Sequence, residues 1–173
     1  MHGADVLTVS GPSPRAVPAA DAAVTREPAR PLVVLTADCA PLVLASDDAI
    51  AVVHAGWLGL LAGVVEAATA RLRSVGHGAV RAVLGPCIHP ARYAFGAADL
   101  ARVVAVYGPA VAATTDDGQR ALDLPAGVRA ALLHADVTDL HDVDVCTAAS
   151  PDHFSYRRDG RTGRQALVAV LDP

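Results

Sequence analysis

The chain of 173 residues carries 18 acidic against 14 basic side chains, a formal charge of -4, and every basic residue is arginine. That balance excludes a general nucleic-acid binder, and the lack of lysine removes Schiff-base chemistry and the lysine of a phosphate-binding P-loop. At 53% hydrophobic residues, the chain is long enough to bury one sizeable core, which argues for a single domain of α/β type.

In chain order, residues 5–9 read as a short strand, and residues 10–31, rich in Pro and Ala, read as a long connection. Residues 32–36 form a strand that ends in a corner at Ala37-Asp38-Cys39. A strand at 42–45, a Ser46-Asp47-Asp48 turn and a strand at 50–54 follow. These runs are apolar on both faces, so the sheet they build is covered twice. From residue 58 the period changes: Leu61, Val64, Val65, Ala68, Leu72 and Val75 share one helical face up to Gly76. A strand at 80–84 runs into Gly85-Pro86-Cys87. Helices are expected over 97–107 and 125–134, the latter with Pro in its first turn, and strands over 143–146 and 166–171.

The cysteines Cys39, Cys87 and Cys146 are odd in number, widely spaced and without a C-x-x-C pair, which points to reduced thiols rather than a disulfide framework. The first residues carry neither a basic region nor an apolar run, as a secretory signal would require. The uncharged run at 49–65 is slightly short for a bilayer span and contains His54, Gly56, Trp57 and Gly59. A cytoplasmic protein with no membrane partner is expected.

Cys39 stands where an apolar strand ends, and His54 closes the strand reached after one hairpin, fifteen residues on (54 − 39 = 15). A thiolate and an imidazole at one sheet end suit zinc, with His2 as a third donor; a structural Cys beside unrelated histidines is the other reading. The block from Ser155 to Arg164 packs four Arg and one Asp into ten residues, a local charge of +3 (4 − 1). Arginine forks suit phosphate, and a solvated turn bent at Gly160 and Gly163 is the alternative. Trp57, the one Trp, either stacks on a ring-shaped substrate or packs over the hairpin.

The blocks Met1-His2-Gly3-Ala4-Asp5-Val6, Asp21-Ala22-Ala23-Val24-Thr25, Thr36-Ala37-Asp38-Cys39-Ala40-Pro41, His54-Ala55-Gly56-Trp57, Gly85-Pro86-Cys87-Ile88 and Cys146-Thr147 with residues 154–164 stand in one order. Together they resemble the YfiH-like laccase-domain family from His2 to the C-terminus. The resemblance implies a layered α/β (α+β) fold with mixed β-sheets covered by helices. It implies zinc held by His2, Cys39 and His54, and phosphorolysis of purine nucleosides with an accompanying adenosine deaminase activity. On that reading Cys39, His54 and Asp38 are the catalytic candidates, with Asp38 as acid or base near the purine N7. Arg158 and Arg164 would hold phosphate, and Trp57 would meet the substrate.

Two departures stand out. Leu58 occupies a position where members usually carry Arg, and members usually have a further stretch before the His-Gly motif, so an N-terminally shortened domain is expected. The laccase name suggests copper, but one Met, seven His and no His-x-His pair cannot assemble a four-copper oxidase. A single copper remains compatible with a His₂Cys set, although zinc is preferred. Two other readings are carried: a hydrolase editing peptidoglycan precursors, with Cys39 as nucleophile and His54 as its base, and a non-catalytic metal-binding domain.

Overall fold

Two adjacent apolar runs joined by a tight turn build the centre of the molecule. The computed structural model describes residues 3–11 and 19–172. It holds β1 (Val6–Thr8), β2 (Ala22–Thr25), β3 (Leu32–Thr36), β4 (Ala40–Ala45), β5 (Ile50–Ala55), α1 (Trp57–Leu61), α2 (Val64–Val75) and β6 (Arg81–Leu84). After these come α3 (Ala97–Tyr107), β7 (Ala112–Thr114), β8 (Arg120–Leu122), α4 (Leu124–His134), β9 (Asp139–Asp142), α5 (Tyr156–Asp159) and β10 (Gln165–Ala169). Six strands form a mixed sheet in the order β1-β2-β5-β4-β6-β9. The pairs β1–β2 and β6–β9 are parallel, and the inner pairs are antiparallel.

β5 is buried along almost its whole length because it is covered on both sides. Ala51, Val53 and Ala55 face the helical layer, where Leu60, Val64, Val65, Ala68, Leu72, Val128 and Leu132 close the main core. Ile50 and Val52 face the other way, onto Leu32 and Val34 of an antiparallel ribbon formed by β3 and β10. Helices therefore cover one face of the sheet and a β-ribbon covers the other. Alternation in β3 leaves Val33 and Leu35 half exposed on the outer side of that ribbon, beside Val168 of β10.

The helix expected from residue 58 is interrupted at Gly63, whose left-handed φ of +78° starts a second helix in a new direction. The connection expected over 10–31 contains β2, a strand of small residues fully inside the sheet. The strand expected at 143–146 falls earlier, at β9, because Asp144 adopts φ +55° and turns the chain. Cys146 keeps only a single parallel bridge, to Cys87. α3 matches its expected span, and α4 begins one residue earlier, where the Asp123 carboxylate accepts from Ala126 N–H at 2.8 Å. Among the described residues no helix is long and apolar enough to cross a membrane.

Candidate functional site

The corner between β3 and β4 is an anchored, strained turn. Asp38 has φ +94°, a conformation that costs a non-glycine residue on the order of 1–3 kcal/mol. It is held from three sides: Ile88 N–H donates to its carbonyl at 2.9 Å, the buried Thr147 hydroxyl donates to Oδ1 at 2.7 Å, and Arg157 N–H donates to Oδ2 at 2.6 Å. Gly85, where that loop leaves the sheet, permits the close approach. A Cβ there would stand 3.1 Å from Pro41 Cγ and 3.3 Å from Leu167 Cδ1.

The next residue, Cys39, is half-buried and opens into a cavity of about 530 Å³. The hairpin register pairs Pro41 with His54, which brings His54 to the same cavity from the end of β5. Burial, reinforced by the charges of Asp38 and Asp21 and opposed by Arg164, pushes the Cys39 thiol up to about 11. His54 is oriented by Asp21: Nδ1 lies 3.2 Å from Asp21 Oδ1, and His54 N–H donates to the Asp21 carbonyl at 2.7 Å. Asp21 is itself buried, and its other oxygen accepts from Gly3 N–H at 2.6 Å.

His2 lies outside the described residues. Among those described, no group of three or more His, Cys, Asp or Glu side chains is gathered as a metal site. Cys39 and His54, two of the three donors named from the sequence, do share one cavity. A soft sulfur and an imidazole nitrogen at one pocket wall fit zinc chemistry, with a third donor still to be supplied.

The remaining wall is aromatic and cationic. Trp57 opens α1 and packs edge-on to Phe95 at 5.3 Å, and Tyr93 meets the same ring edge-on, also at 5.3 Å. Tyr93 lies under the Arg157 guanidinium at 4.6 Å, and burial lifts its phenol to about 12, so it stays protonated. Arg157 and Arg164 both line the cavity, whereas Arg158 is not among its lining residues. The Arg158 guanidinium is committed to the Thr147, Ser150 and His153 carbonyls and to Asp159, where it closes the loop before α5. Of this block Arg157, whose Nη1 donates to the Ala94 carbonyl at 2.7 Å, and Arg164 face the cavity, and Arg158 does not.

Sequence reasoning also passed over Asp21, Tyr93 and Thr36 as site residues. Thr36 closes β3 in the cavity wall, and its buried hydroxyl has no partner among the described residues. Its cross-strand neighbour Gln165 carries an equally unpartnered Nε2. Asp21 was visible as the polar start of a short apolar run, and Thr36 as the last polar residue before the corner. Nothing local singles out Tyr93.

Fold and cavity together define a mixed α/β domain with a Cys-His pocket at the end of its central hairpin. The profile described as multi-copper polyphenol oxidoreductase laccase matches residues 1–172, and the chain belongs to that family. A purine nucleoside phosphorylase of Streptomyces coelicolor is 45% identical over 177 residues, covering 99% of this chain and 73% of the relative. The purine nucleoside phosphorylase YfiH of Shigella flexneri is 36% identical over 175 residues, covering 99% and 71%. Among solved structures, YlmD of Geobacillus stearothermophilus superposes with a TM-score of 0.88 at 27% identity, covering 99% of this chain and 71% of that one. The hypothetical protein YfiH of Bacillus licheniformis shares the fold at a TM-score of 0.90 and 24% identity, covering 99% and 72%.

Proposed function

We propose that this chain is a zinc-dependent purine nucleoside phosphorylase whose metal is held by His2, Cys39 and His54. The observation that carries the reading is the meeting of Cys39 and His54 with two guanidinium groups and the aromatic side chains of Trp57, Tyr93 and Tyr156 in one cavity. The names of the relatives support the reaction class.

In this reading Arg157 and Arg164 grip phosphate at the cavity mouth, their forks matching its oxygens. Phosphate attacks C1′ as the bond from C1′ to the purine nitrogen breaks, and an anion held against the sugar face stabilises the oxocarbenium-like charge. Trp57 and Tyr93 flank the base, and the protonated phenol of Tyr93 and the hydroxyl of Thr36 are hydrogen-bond donors in the wall. Asp38, with both carboxylate oxygens already accepting from protein donors, holds the corner that presents Cys39 rather than exchanging protons. Zinc held by Cys39, His54 and His2 would supply Lewis acidity and an activated water, the chemistry that an accompanying adenosine deaminase activity would require.

The three free cysteines support a cytoplasmic setting. The test supplies inosine to the zinc-loaded protein with and without phosphate. Hypoxanthine release that depends on phosphate is expected, and equal release without phosphate, or none with it, overturns the proposal.

A further inference from the structure

The carboxylate of Asp21 touches two segments at once, the chain at Gly3 and the end of β5 at His54. The antiparallel pairing of Ala22 with Val53 sets Asp21 opposite His54, and both Asp21 N–H and Ala22 N–H donate to the Asp5 carbonyl beside β1. From this position Oδ1 reaches His54 Nδ1 at 3.2 Å and Oδ2 accepts from Gly3 N–H at 2.6 Å. The side chain is only 8% exposed, so both bonds form in a poorly solvated place where they are strong.

We infer that Asp21 is the positioning residue of the metal pocket, setting the tautomer of His54 and the path of the chain next to His2 through the two oxygens of one carboxylate. An ionised carboxylate only accepts, so His54 Nδ1 must carry the proton and the lone pair falls on Nε2. That tautomer is the one a metal requires when Nε2 is the ligating atom, and a carboxylate behind the ring raises its basicity. The bond to Gly3 fixes the backbone immediately after His2. A single buried carboxylate thereby ties the ring of His54 to the backbone of Gly3, positions far apart in sequence, which explains why an acidic residue is buried at this point of the sheet.

The inference rests on the zinc reading above, and the experiment separates the two. Asparagine at position 21 has nearly the same shape but one acceptor, so it can serve either His54 or Gly3 but not both. In metal-free wild-type protein, ¹⁵N shifts are expected to show the His54 proton on Nδ1. In Asp21→Asn either that tautomer inverts or the Gly3 amide loses its hydrogen-bonded shift, and in Asp21→Ala both change. Zinc affinity, read by competition with a chromophoric chelator, is expected to fall 10–100-fold in both variants. Asp5→Asn, which alters an exposed neighbouring side chain, should leave it unchanged. A wild-type His54 with its proton on Nε2, or variants within twofold of wild type in zinc affinity, would overturn the inference. A wild type that binds no zinc refutes the metal reading instead, and the tautomer measurement then decides the role of Asp21 by itself.

Discussion

Thr147→Val is the sharpest perturbation of the anchored corner. Thr147 is fully buried, and its hydroxyl gives Asp38 Oδ1 a 2.7 Å bond, while its backbone N–H donates separately to the Cys87 carbonyl at 3.0 Å. Valine keeps the shape and the backbone bond and deletes only the donor, leaving a buried carboxylate oxygen without it. Hydrogen bonds to charged groups contribute about 1.5–3 kcal/mol. At roughly 2–4 °C per kcal/mol for a domain of this size, the melting temperature should fall by about 3–12 °C. Urea unfolding with unchanged m-value is the assay. Thr147→Ser, which retains the hydroxyl and loses one methyl, should cost only about 1 kcal/mol. In an Asp38→Asn background the valine substitution should cost clearly less, since the charge it serves is gone. Equal stability of Thr147→Val and wild type would refute the claim that this bond holds the corner.

Four further outcomes are expected. Because the folded-state pKa of Cys39 is raised to about 11 from an ordinary 9, its contribution to metal-free stability is complete below pH 9 and is lost between pH 9 and 11. The loss amounts to about 3 kcal/mol and should be absent from Cys39→Ser, as the difference between the two proteins' pH–stability curves would reveal. Cys39→Ser should also abolish bound zinc while Cys146→Ser retains it, as measured by metal analysis of the purified proteins. Arg164→Ala should raise the KM for phosphate more than that for nucleoside, whereas Arg158→Ala should lower thermal stability and leave both KM values near wild type. Thr36→Val, which removes a hydroxyl with no protein partner, should leave stability within about 0.5 kcal/mol and raise the KM for nucleoside alone.

The central hairpin and α3 were legible because their signals are local: an apolar run, a turn, a single helical period. The convergence of Cys39 and His54 was legible for the same reason, since one hairpin suffices to join them. β2 was not, because Ala22 and Ala23 have little strand preference of their own and are strands by virtue of their neighbours. The break at Gly63 was hidden inside a periodicity that continues across it. In the arginine block the choice between Arg157 and Arg158 depends on which way α5 turns. Its Ser155 cap, accepting from Arg158 N–H, directs Arg158 back onto the loop. Asp21 acquires its role only through pairing partners 18 and 33 residues away.

The ribbon of β3 and β10 gives this pocket a birth order. Among the described residues β3 pairs only with β10, and the register from Thr36↔Gln165 to Leu32↔Ala169 joins positions 129 to 137 residues apart. The bonds to Asp38 from Thr147 and Arg157 span 109 and 119 residues. Until β10 is made, a nascent chain therefore carries an apolar strand with unpaired edges, the kind of segment that chaperones bind and that aggregates when they do not. Closure of β10 on β3 is a high-contact-order event, so binding competence should arrive with that closure rather than grow with the length of chain made.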